Sequence, residues 1–540
     1  MKRHQIKGGF ARSIGGALAL TVLWMTNFSA GRLEGAEPST REKPAAAFFQ
    51  PVQPPRPVQV MAHRGLMRQA PENTRLAIEL AISDLLEWVE VDVRRSKDGI
   101  HLLAHDANLE GKTDGRGAVK DQEIAALQKL DAGSWFSRRF ANTRLLTLAE
   151  ALEQAKGRIN LYLDIKDADP ESLVAEVLKA GMQQQVVVYG SPEFTAKVRA
   201  FSRGRVPVMV KWHPSFGFGD WVTRVQPSAV EIDANEVTGE ACREFHYRGI
   251  KVQAKTLGNE WDRPEVWSRM MTAGVDWIQT DFPQEVLVQS IKDRKLKKPV
   301  QIAFHRGASW YAPENTLPAI EKAKALGADY VEVDIRTSKD GHFFLLHDGQ
   351  LGRTTNGHGP LKDLTSAELS KLEAGSWFSR PFAETPIPTF DAGLQALKGH
   401  AHVYLDAKEI TPEALAAKIE SYQIAEESVV YQHPDYLEKL KKLCPKVRVM
   451  PPLKDPKQID ALAARLKPYA VDAAWGTLSK DMIDRCHAHG IRVFSDALGL
   501  NENVPAYRQA IEWGIDLIQT DHPIRVWRAI ELIDEASTKR

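Results

Sequence analysis

One segment of this chain occurs twice. Trp88–Asp106 reads WVEVDVRRSKDGIHLLAHD and Tyr330–Asp348 reads YVEVDIRTSKDGHFFLLHD, at a constant offset (332 − 90 = 242; 347 − 105 = 242). A match of that length at one offset is an internal duplication, so the fold must be one that two copies of roughly 240 residues can each adopt. Glu90 and Asp92 (Glu332 and Asp334) sit two apart in a β-branched run, which puts both carboxylates on one face of a strand. Lys-Asp-Gly and a second apolar run ending in His-Asp follow, and Asp-Gly between apolar runs is a hairpin signal. A parallel return needs a crossover of about a dozen residues, more than lies between Arg336 and His342. The return is therefore antiparallel and carries His105 (His347) toward the acids. Two acids and an imidazole converging at a strand end look like a metal site with a proton-transfer group beside it.

In the first copy, apolar runs separated by amphipathic stretches fall at Gln59–His63, Trp88–Val93, Ile159–Lys166, Val186–Tyr189, Val206–Trp212, Ala229–Asp233, Ile250–Thr256 and Trp277–Thr280. The second copy repeats the order at Gln301–His305, Tyr330–Ile335, His402–Lys408, Ser428–Tyr431, Val447–Met450, Ala470–Ala473, Ile491–Phe494 and Leu517–Thr520. Strands alternating with helices over this length predict an α/β fold of two tandem (β/α)₈ TIM barrels. Each has a hairpin-containing insertion after strand two, which in the first copy runs on through residues 107–146. The expected boundaries are residues 58–291 and 300–540, joined by a short basic, solvated linker at 292–299.

Ahead of the barrels, Lys2, Arg3, Lys7 and Arg12 precede an apolar run from Ser13 to Phe28, and Ser29-Ala30 or Gly35-Ala36 offers small residues for cleavage. Residues 1–36 read as a signal peptide, giving an exported protein, periplasmic or extracellular. The alternative is an uncleaved membrane anchor, which is short for a bilayer and holds Thr, Asn and Gly. Residues 37–57, rich in Pro and Ala, read as a semi-extended tether. A net charge of +1 gives no bulk attraction to nucleic acid or an anionic membrane. Cys242, Cys444 and Cys486 are too few for a disulfide framework, leaving one conceivable Cys444–Cys486 bridge.

Barrel chemistry collects at the C-terminal ends of the strands, and the polar residues fall there. Strand one ends in His63-Arg64-Gly65 (His305-Arg306-Gly307), strand two carries the paired acids, strand three ends with Asp164 and Lys166 (Asp406 and Lys408), and strand eight ends at Asp281 (Asp521). Together with Pro-Glu-Asn-Thr (Pro71–Thr74, Pro313–Thr316), Lys-Asp-Gly, His-Asp and Thr-Asp-x-Pro, this order resembles the glycerophosphodiester phosphodiesterase family, within the phosphatidylinositol-phospholipase-C-like barrels.

The resemblance implies a divalent cation per barrel, Ca²⁺ or Mg²⁺, and hydrolysis of a small-molecule glycerophosphodiester to glycerol 3-phosphate and an alcohol. Glu332, Asp334 and Asp406, and likewise Glu90, Asp92 and Asp164, offer only carboxylate oxygens, which suit a hard cation. His305 and His347, and equally His63 and His105, are the expected general base and acid, because imidazole has both protonation states available near neutrality. Arg64, Lys166, Arg306 and Lys408 are the expected phosphate holders. The attacking group is either water or the substrate's own glycerol hydroxyl.

Three departures from the family pattern stand out. The third metal ligand is Asp rather than Glu in both copies, a shorter arm that reaches only if the backbone sits closer. The family arginine after His-Asp is Arg353 in the second copy and Gly111 in the first. The family's Trp-Thr at strand seven is Lys255-Thr256 in one copy and Asp496-Ala497 in the other, so substrate contacts there are expected to differ. Pro-Glu-Asn-Thr is expected to start and cap helix one, and Asp281 and Asp521 to tie strand eight to strand one. Gly-Ser-Trp-Phe-Ser (Gly133–Ser137, Gly375–Ser379) is expected to pack each insertion on its barrel or to line the mouth. His487 and His489 are expected to be solvated. The competing functions are a phosphodiesterase for polyglycerol-phosphate polymers or lipids, and a phosphodiester-binding module without turnover.

Overall fold

The computed structural model describes residues 46–538; the expected signal peptide and the first part of the tether lie outside them. Among the described residues no helix is long and apolar enough to cross a membrane. Both repeats are (β/α)₈ barrels and lie within one compact unit.

In the first barrel the parallel strands are Gln59–Ala62, Trp88–Arg95, Asn160–Ile165, Val186–Tyr189, Val208–Lys211, Ala229–Asp233, Lys251–Lys255 and Trp277–Thr280. Strand one pairs with both strand two (Met61↔Trp88) and strand eight (Ala62↔Thr280), which closes the sheet. The hairpin return His101–Leu103 runs antiparallel to strand two, with Val93 opposite Leu103. The second barrel repeats this with Gln301–Phe304, Tyr330–Thr337, His402–Asp406, Ser428–Tyr431, Ala470–Ala473, Arg492–Asp496 and Leu517–Thr520, and the return Phe343–Leu345. Its fifth strand is broken: Arg448–Met450 pairs with strand four, and Pro452–Leu453 pairs with strand six. Pro451 and Pro452 have no N–H, so the ladder to strand four stops at Met450.

Alternation along the strands separates the layers. Met61, Trp88, Tyr162, Val187, Met209, Ala229 and Trp277 fill the lower interior of the first barrel, and Tyr330, Tyr404, Phe494 and their neighbours fill that of the second. Two residues further along each strand, on the same face, stand the polar side chains: Trp88 leads to Glu90 and Asp92, Tyr162 to Asp164, Met61 to His63. An apolar plug thus supports a polar rim.

Residues 46–57, expected to be a tether, are packed instead. Phe48 sits edge-on against Trp88 and Trp277, both at 5.1 Å, and Asn160 Nδ2 donates to the Phe49 carbonyl at 2.9 Å, covering the base of the first barrel. Arg56 is buried between Glu87 of the first barrel (2.5 Å) and Glu531 on the last helix of the second (3.3 Å). Arg294 and Arg528 also pair with Glu531. Burial alone would raise the Glu531 carboxyl, but the three guanidiniums hold it below the usual range. The linker is likewise more than a solvated joint: the preceding helix runs to Arg294, and Lys298 pairs with Asp329 and lies over the Trp527 ring. All three cysteines are free and buried, so the conceivable Cys444–Cys486 bridge is not formed.

Removing one partner from a buried ion cluster leaves charge uncompensated. Arg56→Ala is expected to cost about 3–5 kcal/mol, read as a lowered urea midpoint, whereas Arg465→Ala, at an exposed pair, should leave the midpoint nearly unchanged.

Candidate active sites

Parallel register sets Asp92 beside Asp164 and Asp334 beside Asp406. In each barrel one oxygen from each of the three acids lies within 4.8 Å of the others (Glu90, Asp92, Asp164; Glu332, Asp334, Asp406). The aspartates on strand three therefore reach despite the shorter arm. Burial, and then repulsion from the two neighbouring aspartates, push Glu90 and Glu332 well above the carboxylate range. Lys166 Nζ lies 2.8 Å from Asp164 and 3.2 Å from Asp92, and Lys408 lies 2.5 Å from Asp406 and 3.5 Å from Asp334. One ammonium and one guanidinium, the latter shared with Glu72 or Glu314, do not balance three clustered carboxylates, and an all-oxygen donor set of this charge fits a hard divalent cation.

The imidazoles are held from behind. His63 Nδ1 is 2.7 Å from Asp281, leaving Nε2 4.0 Å from Glu90, and His305 Nδ1 is 2.8 Å from Asp521. Asp281 and Asp521 thus tie strand eight to strand one through the histidine itself. His105 and His347 bond through Nδ1 to Asp106 (2.8 Å) and Asp348 (2.7 Å). The hairpin return is stitched to strand two just before them, Ala104 N–H to Asp92 O at 3.0 Å and Leu346 N–H to Asp334 O at 3.1 Å. Arg94 and Arg336, which sequence reasoning passed over, clamp the carbonyls of His105 and His347. The signal that could have found them was present, since both arginines recur at the 242 offset. An anchored Nδ1 fixes the tautomer and turns Nε2 outward.

Arg64 and Arg306 adopt left-handed backbone (φ 54° and 52°), which aims their N–H groups at Glu90 (2.8 Å) and Glu332 (2.7 Å). The following Gly65 has φ 79°, and a Cβ there would meet Ala77 at 2.7 Å, so only glycine lets helix one approach. The guanidiniums bond to Glu72 and Glu314 at 3.0 Å, and in both copies Nε is buried without a hydrogen-bond partner. Each Nε nevertheless faces the cluster, 3.3 Å from the Asp92 carboxylate and 3.6 Å from that of Asp334, an ion-pair contact without hydrogen-bond geometry that leaves the N–H free to meet a phosphoryl oxygen.

Pro-Glu-Asn-Thr is more than a helix start. Thr74 and Thr316 cap the helices, as expected. Asn73 and Asn315 bond the Asp92 and Asp334 carboxylates at 2.8 and 2.7 Å and accept the same residues' N–H at 3.0 Å. Arg353 pairs with Glu314 and Asp348. Where the first copy has Gly111, the next residue, Lys112, reaches Glu72 at 2.8 Å.

Gly-Ser-Trp-Phe-Ser does something neither reading anticipated. Trp135 does line a cavity with His105, Asp106 and Lys112. The two copies also meet each other: Arg380 N–H bonds Phe136 O at 2.6 Å, Ser137 Oγ bonds Trp377 O at 3.3 Å, and Arg139 stacks over Phe378. His487 and His489, half exposed, pair with Asp516 and Asp460 away from either site.

The floors opposite the machinery differ. In the first barrel Glu231 accepts from Tyr162 and Tyr189, each at 3.1 Å, with Lys211 and Lys255 at 3.7 and 3.8 Å. In the second barrel the same strand positions carry Asp472, Pro452 and Asp496. Burial and then carboxylate neighbours push both aspartates well above their usual range.

Twin barrels with acids, anchored imidazoles and a basic group at each C-terminal rim define a tandem (β/α)₈ hydrolase. The profile of the glycerophosphoryl diester phosphodiesterase family matches residues 63–205 and 305–525, and the chain belongs to that family. It is 29% identical over 249 residues to the glycerophosphodiester phosphodiesterase of Bacillus subtilis strain 168, covering 41% of this chain and 82% of that one. It is 31% identical over 234 residues to the enzyme of the same name from Caldanaerobacter subterraneus, covering 41% and 94%. Among solved structures, the glycerophosphodiester phosphodiesterase of Agrobacterium tumefaciens C58 superposes with a TM-score of 0.40 at 30% identity, covering 42% of this chain and 98% of that one.

Because Asn315 fixes the Asp334 carboxylate through two hydrogen bonds, Asn315→Ala is expected to weaken divalent-cation affinity of the second barrel by about 10–100-fold. Calorimetric titration in a Glu90→Gln background reads this, and unchanged affinity would remove Asn315 from the site.

Proposed function

We propose that each barrel hydrolyses glycerophosphodiesters to glycerol 3-phosphate and an alcohol, with Ca²⁺ or Mg²⁺ at the acid cluster. The observation that carries this is the repeated set of three converging carboxylates flanked by two imidazoles, each anchored at Nδ1. When bound, the cation polarises the phosphoryl oxygens and favours the deprotonated form of the attacking hydroxyl.

In the second barrel His305 Nε2 takes the proton of the attacking group, and Asp521 stabilises the imidazolium that forms. His347 gives a proton to the leaving alkoxide, with Asp348 holding its ring. The Arg306 Nε donor and the Lys408 ammonium hold phosphoryl charge as it builds. His63, His105, Arg64, Lys166, Asp281 and Asp106 do the same in the first barrel. The N-terminal basic and apolar pattern supports export, where the substrate would be a released small diester. A binding module without turnover would have no use for four imidazoles held with Nε2 free, which favours the enzyme.

Release of glycerol 3-phosphate from glycerophosphocholine tests this. Activity should vanish with EDTA and return with Ca²⁺ or Mg²⁺. His63→Ala and His305→Ala should each remove one barrel's share, and the double variant should fall by about 10²–10⁴-fold. No release by metal-loaded wild type would leave the binding module.

A further inference from the structure

The two barrels share their machinery on strands one to three and differ on strands five to seven. Four positions at the upper ends of those strands lie side by side on neighbouring strands of the barrel's inner face. In the first barrel they are Lys211, Glu231, Asp233 and Lys255, with formal charges +1, −1, −1 and +1, summing to 0. In the second barrel the register places Pro452, Asp472, Ala474 and Asp496 there, summing to −2. The substitution therefore removes two ammonium groups and leaves two carboxylates.

Those carboxylates are not absorbed by the protein. Glu231 is satisfied by two tyrosine hydroxyls and two lysines. Among the described residues, neither Asp472 nor Asp496 has a side-chain hydrogen bond or ion pair, and Asp496 Oδ1 is buried without any partner. The shorter aspartate also falls short of Tyr404 and Tyr431, the counterparts of Tyr162 and Tyr189. The pair lies close enough to the site for Asp496 to feel His305 and Lys408, and for Asp472 to feel Asp406. Half-buried acids without a protein partner at a substrate mouth are most stable as carboxylates when a ligand supplies the counter-charge.

We propose that Asp472 and Asp496 form a subsite for a cationic substrate group, so that the second barrel selects diesters of ammonium-bearing alcohols while the first, with Lys211 and Lys255 in place, does not. Tyr431, half-buried beside the pair, adds aromatic surface of the kind that suits a quaternary ammonium. This deepens the functional reading above and rests on it. It makes the two barrels complementary rather than redundant, each taking diesters the other disfavours.

The test isolates each barrel in the full chain and varies one charge in the substrate. The probes are glycerophosphocholine and its neutral isostere, the 3,3-dimethylbutyl ester of glycerol 3-phosphate. With His63→Ala, so that only the second barrel turns over, the ratio of kcat/KM values should favour choline by about tenfold. Asp496→Asn and Asp472→Asn should bring the ratio toward one, chiefly through KM for choline. With His305→Ala the ratio should be near one or below, and Lys255→Asp should raise it. A second-barrel ratio of one, or a ratio unmoved by the carboxamides, overturns the proposal. Equal loss on both esters with lowered cation stoichiometry also overturns it, because the pair would then belong to the metal centre. Hydrolysis of neither ester in either background would instead sink the functional reading, and this inference with it.

Discussion

Three carboxylates within 4.8 Å of one another are the constraint around which each barrel is arranged. At an effective dielectric near 20, like charges at that separation repel by about 3–4 kcal/mol per pair, and burial adds to the cost. The surroundings act as offsets. Arg64 turns into the left-handed region to give its N–H to Glu90, Asn73 gives an amide to Asp92, and Lys166 sits between Asp164 and Asp92. Each offset is partial. The cluster therefore keeps net negative charge, which the proposed cation would balance.

The parts of this arrangement that obey strand alternation were readable from the sequence. Glu-x-Asp and Asp-x-Lys place their side chains on one face whatever surrounds them, and the Asp-Gly hairpin fixes the direction of the histidine. Strand positions, the return of the hairpin and the residues of both acid clusters follow from those local rules. What was not readable depends on contacts distant in the chain. Arg94 looks like any strand-end arginine until the hairpin return puts the His105 carbonyl beside it. Asn73 is an ordinary turn residue until helix one docks against strand two. The segment from 46 to 57 has a linker's composition, and only Trp88 and Trp277 at the barrel base, some 40 and 230 residues away, give Phe48 a place to pack. The break in the fifth strand was missed for the opposite reason. Two consecutive prolines argue against a strand locally, while closure of the barrel requires that the chain pair there.

Duplication explains why the barrels can be welded together without harming either site. Their contacts use insertions, first helices and last helices, and the buried cluster of Arg56, Arg294 and Arg528 around Glu531 and Glu87 lies behind the rims. Gly-Ser-Trp-Phe-Ser shows how one segment serves both ends: its tryptophan in the first copy faces the cavity beside His105, while its phenylalanine and serine meet the other copy. The insertion that shapes each mouth is thereby braced by its twin.

The two copies also show which requirements concern charge and which concern position. Glu72 and Glu314 each take a second cation beside Arg64 or Arg306, and the chain supplies it with Arg353 in one copy and with Lys112, one residue past the matching site, in the other. A long flexible side chain tolerates the shift because a point charge has no preferred direction. The clustered acids and the anchored imidazoles tolerate no such shift: they keep the 242 offset throughout, since a carboxylate or a ring nitrogen displaced by an ångström no longer meets the group that holds it. Strands five to seven lie under neither constraint. They carry none of the clustered acids or anchored imidazoles, so Lys255 in one copy can correspond to Asp496 in the other without moving either set, and charge inversion there is the kind of change a duplicated barrel can absorb.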